Sequence, residues 1–314
     1  MLGQIGWFAF GAVLLLLGAD SLVKGAAGLA LRLRLKPHLV GLLVLGFGTA
    51  LPELALTLDA VRGAHTGLAL GNAVGSAIAN LGLVLGVAAL AAPFATGLAL
   101  TRWLLPAVIA IAVLVGLLAL DGALDRLDGA VLVLAFVVVL GLLPRLAARE
   151  AEPVRTAFAA AAEAPSEPWR FGLRITIGLA VLTLGVHFAV DAAAALAMAW
   201  GLSELIVGLS LVAIGTLMPE LATAVLAARR GHGDLAVGNA IGGAFANLSL
   251  VLGAGALWRS LPVPSQLLQV ELPALVAFAL ALYPMLRGDA HLTRREGAVL
   301  LAAYLAFLGW QACL

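Results

Sequence analysis

Two glutamates sit where carboxylates are rarely tolerated. Glu53 lies in "GTALPELA" at 48–55 and Glu220 in "GTLMPELA" at 215–222, each inside a long apolar run. A charge at the centre of a membrane helix costs about 2.5–3.5 kcal/mol on the insertion scale, so the two together cost about 5–7 kcal/mol. No lysine or arginine lies mid-span nearby to act as counter-charge. A mobile cation fits the missing partner; the competing reading is two protonated, hydrogen-bonded structural glutamates. Thr49 and Thr216 stand four residues before each glutamate, a spacing that places hydroxyl and carboxylate on one helix face. Pro52 and Pro219 have no amide hydrogen, and their rings clash with the carbonyls four residues earlier, those of Gly48 and Gly215. Freed carbonyls are tolerated in a membrane only where they are buried in protein or line a polar cavity.

Downstream, "GNAVGSAIANLGLVLG" at 71–86 and "GNAIGGAFANLSLVLG" at 238–253 add the amide oxygens of Asn80 and Asn247. Their small residues, Gly71, Gly75, Ser76 and Ala77 with Gly238, Gly242, Gly243 and Ala244, let helices approach closely. The donor set is therefore all oxygen. Six to eight oxygens that include carboxylates suit Ca²⁺, whereas zinc and copper favour histidine or cysteine. Two carboxylates neutralise one divalent ion or hold monovalent ions in its place, and competition for one pair is the simplest physical basis for exchange.

The elements that must position these residues are transmembrane helices. Of the 314 residues 63% are hydrophobic and 11% are charged, against about 25% charged in soluble domains. Breaks at charged or Pro/Gly-rich points predict ten spans: 5–27, 38–61, 68–92, 101–120, 129–147, 171–198, 204–228, 235–257, 266–286 and 296–313. The first run lacks a basic leader and is too long for a signal segment, so it reads as an uncleaved first span. The single cysteine, Cys313, excludes an internal disulfide and a cysteine-based metal site. A net charge of +1 without a basic cluster gives no reason to expect a nucleic-acid partner.

With the first connection in the cytoplasm, 15 of the 18 Lys and Arg fall on the cytoplasmic side and only Arg62, Arg126 and Arg259 fall outside. The positive-inside rule then puts both termini outside. Residues 38–87 align with 205–254 at an offset of 167 without a gap, and 26 of the 50 positions are identical. The chain thus reads as a five-helix repeat over 1–148, a cytoplasmic linker over 149–170 and a second repeat over 171–314. An odd number of spans inserts the second repeat upside down. The fold expected is an all-α integral membrane protein of ten transmembrane helices in two inverted five-helix repeats. Inverted repeats mark secondary transporters, with the substrate site at the repeat interface near the midplane. A passive cation channel on the same fold is the rival from another class.

The paired motifs "GTALPEL" with "GNAVGSAIANLGLVLG" and "GTLMPEL" with "GNAIGGAFANLSLVLG" resemble the α-repeats of the sodium/calcium exchanger superfamily. The short linker is similar to that of prokaryotic members. The resemblance implies antiport of Ca²⁺ against Na⁺ by alternating access, or in some branches against H⁺ or with K⁺, and no enzymatic activity. The ions are cargo, and no cofactor is expected. It carries ligand roles onto Glu53, Glu220, Thr49, Thr216, Asn80 and Ser76, and carbonyl roles onto Gly46 and Ala213. Asn247 stands where some prokaryotic members have aspartate. Ala50 and Leu217 replace a serine before the proline, and Gly243 replaces the serine that would match Ser76. The second half therefore offers one hydroxyl fewer to Na⁺.

Other polar residues read as structural. Asp59 lies towards the outer end of its span and is expected to snorkel or pair at the surface. Asp20 and His187, like Lys24 and Asp191, hold equivalent repeat positions and are expected to make contacts near span ends. His65 and His232 are expected in solvated loops. Arginine exceeds lysine 16 to 2 and alanine is abundant, a composition that hints at a GC-rich bacterial genome; the localisation expected is the plasma (inner) membrane of a bacterium.

Overall fold

The computed structural model describes residues 2–32, 41–95, 98–147, 168–199, 216–287 and 291–311. These fall into ten helical runs in the order of the ten expected spans. They are α1 (Leu2–Arg32), α2 (41–62), α3 (Thr66–Ala91), α4 (Leu98–Leu118), α5 (Arg126–Ala147), α6 (Pro168–Ala199), α7 (Met218–Arg229), α8 (Gly233–Trp258), α9 (267–287) and α10 (Arg294–Gln311). Seven are long and apolar enough to cross a membrane within the described residues; α5, α7 and α10 are the others. The linker falls almost wholly outside the described residues, and α6 begins at Pro168, three residues before the expected boundary at 171.

Burial separates a centre from a periphery. The α3 and α8 spans are 78% and 83% buried, whereas α1 and α6 are 28% and 22% buried. This follows from composition. The small residues of the two "GNA" motifs let neighbours close around α3 and α8. The remaining helices turn large apolar side chains such as Leu16, Leu17, Leu134, Val137 and Leu280 outward. In water such a belt would be an aggregation surface; in lipid it is solvated.

Four two-residue strands display the inverted repeat. β1 (Phe94–Ala95) pairs antiparallel with β4 (His291–Leu292), and β2 (Ala123–Leu124) with β3 (Leu261–Pro262). Each pairing joins one half to the other. One span, α4, separates β1 from β2, so the two pairings lie on opposite membrane faces. The β1–β4 face is also the face of the linker, and β2–β3 lies on the face of both termini.

The peripheral helices α1 and α6 pack against each other in antiparallel fashion through glycines seven residues apart. A Cβ on Gly11 would lie 2.5 Å from the Ala189 nitrogen, one on Gly18 2.7 Å from the Leu182 nitrogen, and one on Gly25 2.9 Å from the Ile175 side chain. Gly178 and Gly185 are equally confined from the other side, by the Leu22 and Leu15 nitrogens at 2.8 Å. The Ser21 hydroxyl donates to the Arg174 carbonyl at 2.9 Å and adds a polar tie. The first spans of the two halves are thus clamped backbone to backbone.

The clamp predicts a sharp sensitivity. Gly18→Ala should destabilise the purified protein in detergent by about 1–3 kcal/mol, the usual cost of overpacking. Gly172→Ala on α6, where a Cβ meets nothing within 4 Å, should leave the thermal midpoint unchanged or raise it. Equal midpoints for both variants would contradict the clamp.

Candidate functional site

The first candidate helix breaks just before its glutamate. In α2 a π-helical stretch, Gly41–Gly46, runs into the short segment Phe47–Thr49, which ends at Ala50. A new helix starts at Leu51 with Pro52 in its first turn, where the missing amide hydrogen costs nothing. The break corrects the expectation of a free Gly48 carbonyl: that carbonyl accepts the Ala50 amide. The second half repeats the arrangement, with Pro219 in the first turn of α7, while Gly215 lies outside the described residues. Both glutamates therefore occupy the first turn of a helix, where the helix dipole favours negative charge. Glu53 is also at the centre of the apolar span Val44–Arg62.

The two carboxyl groups meet. Glu53 and Glu220 are both 0% exposed, and their carboxyl groups face each other within interacting range, with the Thr49 hydroxyl in reach of Glu220. Among the described residues all four carboxylate oxygens are buried without a hydrogen-bond partner, and so are both polar atoms of Asn80 and of Asn247. A buried polar group left unsatisfied costs about 1–3 kcal/mol, more if charged. Six of these eight atoms are oxygens on the repeated motifs, the ligand type that a hard cation takes. Among the described residues no group of three or more His, Cys, Asp or Glu assembles. The donor set there is two carboxylates with neutral oxygens, in keeping with a hard, exchangeable ion.

The remaining candidates divide. Thr49 is 1% exposed and donates to the Leu45 carbonyl at 2.7 Å. Ser76, 5% exposed, lies one turn before Asn80 on α3. Gly46 is pressed against α8: a Cβ there would sit 3.0 Å from Gly242 and Gly243 backbone atoms. Gly243 in turn makes room for Asn80, whose Nδ2 lies 2.9 Å from where a Gly243 Cβ would be. The asparagine of one half therefore fills the space above the glycine of the other. Thr216 is half-buried two residues before α7 begins. Ala213 lies outside the described residues.

Several features escaped sequence reasoning. α3 and α8 each switch to π-helical geometry at the candidate asparagine, over Asn80–Val84 and Asn247–Val251; such widened turns recur at functional sites. Asn72 and Asn239 form a second asparagine pair. Asn72 Nδ2 donates to the Glu53 carbonyl at 3.1 Å and to Thr57 Oγ1 at 2.9 Å. Asn239 Nδ2 donates to the Glu220 carbonyl at 2.9 Å and to Thr223 Oγ1 at 3.0 Å. Both stand at equal places in the quoted motifs, which was the available signal. Their threonine partners are not at equivalent positions, four residues after Glu53 but three after Glu220, so the repeat alignment hides them.

The flanking charges also find their places. Asp20 pairs with Arg230 and, at 3.0 Å, with Lys24, so it is an inter-repeat contact. Its counterpart His187 meets Asp191 at 3.5 Å on the exposed side of α6. Asp59 is exposed. His65 is exposed as expected, whereas His232 is only 5% exposed. Burial, and then the Arg230 charge, hold the His232 imidazole below its ordinary pKa. A left-handed residue precedes each histidine, Ala64 at φ 64° and Gly231 at φ 73°. The turn itself is thus repeated, and the difference in burial comes from what packs on it.

Comparison with known proteins bears on the whole chain. The family described as sodium/calcium exchanger protein matches residues 3–143 and 172–312, once in each half. The chain is 37% identical over 252 residues to Inner membrane protein YrbG of Escherichia coli, covering 79% of this chain and 77% of that one. It is 29% identical over 333 residues to Sodium/calcium exchanger MaX1 of Methanosarcina acetivorans, with 95% of each covered. In structure it matches the sodium-calcium exchanger NCX_Mj soaked with zero Na⁺ and Ca²⁺, with a TM-score of 0.84 at 28% identity and 98% of each chain covered. The two inverted five-helix repeats and the twice-matched family leave one conclusion: this membrane protein belongs to the sodium/calcium exchanger family.

Proposed function

We propose that the protein is a secondary-active antiporter that exchanges Ca²⁺ for Na⁺ by alternating access. The observation that carries this reading is the pair of buried carboxyl groups, one from each half, which meet each other while no hydrogen-bond donor reaches either among the described residues. One Ca²⁺ neutralises both. Glu53 and Glu220 bind it directly, and Thr49, Thr216, Asn80, Asn247 and Ser76 complete an oxygen set of the size Ca²⁺ takes. Gly46 and Ala213 contribute backbone carbonyls. Because the carboxylates belong to different halves, any movement of one half against the other alters the ion's coordination and access together.

The division into 1–148, a linker at 149–170 and 171–314 accords with the twice-matched family and with the symmetric strand pairs. Exposed tryptophans lie at both ends of the helices, Trp7, Trp258 and Trp310 on the terminal face and Trp103 and Trp169 on the linker face. That is the placement of interfacial anchors, and the excess of basic residues then puts the linker in the cytoplasm and both termini outside. Likeness to an inner membrane protein of Escherichia coli supports the same membrane here.

Proton coupling is the second reading, favoured by the second half. Gly243 supplies no hydroxyl where the first half has Ser76, and Asn247 is a neutral amide. Proton exchange needs only the two carboxylates.

Glu53→Gln and Glu220→Gln should each remove half of the counter-charge. The expected loss is about 2–5 kcal/mol in Ca²⁺ binding, by analogy with truncating one side of a buried charge pair. That is at least roughly thirtyfold in affinity. Neither should lower the yield of folded protein, since each replaces a buried carboxylate with a neutral isostere. Proteoliposomes loaded with Na⁺ provide the check: parent protein takes up ⁴⁵Ca²⁺ only while the Na⁺ gradient persists, and the variants do not. Uptake driven by a Ca²⁺ gradient alone would indicate a channel, and near-normal uptake by either variant would sink the site.

Gly243→Ser addresses the coupling ion. The new Cβ pushes the Asn80 amide aside, which that end of the side chain can accommodate because no hydrogen bond holds it. The added hydroxyl is worth about 0.5–1.5 kcal/mol, or roughly two- to tenfold in the Na⁺ concentration that halves Ca²⁺ uptake. An unchanged Na⁺ dependence, with strong competition by H⁺ in both proteins, would select proton exchange.

A further inference from the structure

We infer that Asn239 is a positioning residue that ties the two halves of the ion site together and aims the Thr49 hydroxyl at the ion, an inference that rests on the site proposed above. Asn239 is 0% exposed, and every polar atom of its side chain has a partner. Nδ2 donates to the Glu220 carbonyl at 2.9 Å and to Thr223 Oγ1 at 3.0 Å. Oδ1 lies 3.3 Å from Thr49 Oγ1, across the boundary between the repeats. The amide cannot be turned over, because Oδ1 would then face the Glu220 carbonyl, acceptor against acceptor.

This fixed orientation decides what Thr49 can do. Its hydroxyl has one proton and two acceptor lone pairs. The two oxygens beside it, the Leu45 carbonyl at 2.7 Å and Asn239 Oδ1 at 3.3 Å, both accept only. The proton is therefore committed to that side. Neither Glu220 carboxylate oxygen takes a hydrogen bond among the described residues, so the hydroxyl's lone pairs are left for an ion held by that carboxylate. A cation there meets an oxygen lone pair already turned towards it, rather than a hydroxyl that must first rotate its proton away. The same amide anchors the backbone of Glu220, so one side chain sets the separation between a ligand of the first half and a ligand of the second. Asn72 anchors Glu53 through the equivalent bond to its carbonyl.

Loss of Asn239 should be tolerated by the fold. The Thr223 hydroxyl has its own acceptors in the Pro219 carbonyl at 2.7 Å and the Glu220 carbonyl at 3.0 Å. The test is a double-mutant cycle read as Ca²⁺ affinity, by calorimetric titration of CaCl₂ into the full-length purified protein in detergent. Asn239→Ala should weaken binding about tenfold in the parent, Thr49→Val by at least as much, and the double variant by clearly less than the product of the two losses, the remainder being the direct hold on Glu220. Such non-additivity identifies action through Thr49. Fully additive losses would overturn the positioning role while leaving the ion site standing. An unchanged affinity in Thr49→Val would remove Thr49 from the site, and this inference with it. Should the alanine variant not fold, Asn239→Ser, too short to reach Thr49, takes its place in the cycle with the same expected outcomes.

Discussion

Two carboxyl groups from opposite halves of the chain meet in the buried interior, and among the described residues no basic side chain pairs with either. Both groups are fully buried, so bulk solvent does not screen that repulsion, and in the proposed site a bound cation relieves it. The helix breaks before Glu53 and Glu220 place each carboxylate at a helix N-terminus. The asparagines at 72 and 239 hold the adjoining carbonyls, and the small residues of α3 and α8 let the helices come close enough for the carboxylates to meet. Each half supplies one carboxyl group, so the proposed site is complete only when the two halves come together.

The inverted repeat gives that arrangement its use. Equivalent strand pairs close opposite faces of the molecule, and equivalent turns carry His65 and His232. Yet the two faces are not in the same condition. On the linker face, His232 is buried and Arg230 holds Asp20 of α1; on the terminal face, His65 is exposed and the His187–Asp191 pair stands apart. Nearly the same local sequence thus adopts two packing conditions at the two membrane faces. An alternating-access carrier requires such asymmetry, since a perfectly symmetric one would be open to both sides or to neither.

Much of this was legible in the sequence for a simple reason. A duplicated gene keeps what both copies need, so an ungapped 50-residue match exposes Glu53, Glu220, Thr49, Thr216, Asn80 and Asn247 without coordinates. What stayed hidden depends on packing between distant segments. Thr57 and Thr223 do the same work from non-equivalent positions, so aligning the repeats conceals them. The π-helical turns at Asn80 and Asn247 have no propensity signature in the sequence. His232 reads as a solvated loop residue until its neighbours are known. Pro52 and Pro219 read in the sequence as freeing the carbonyls four residues earlier, whereas the chain places each in the first turn of a fresh helix, where it is tolerated without strain.

The central claim is that Glu53 and Glu220 hold one divalent ion between them. Anomalous diffraction from crystals soaked in Sr²⁺, as an electron-rich stand-in for Ca²⁺, tests it directly. The account predicts a peak between the two carboxylates, within reach of both at close to the 2.3–2.6 Å of Ca²⁺–oxygen contacts, and its disappearance in Glu220→Gln. A peak that persists in that variant, or one bound elsewhere with the Glu53–Glu220 space empty, would contradict it.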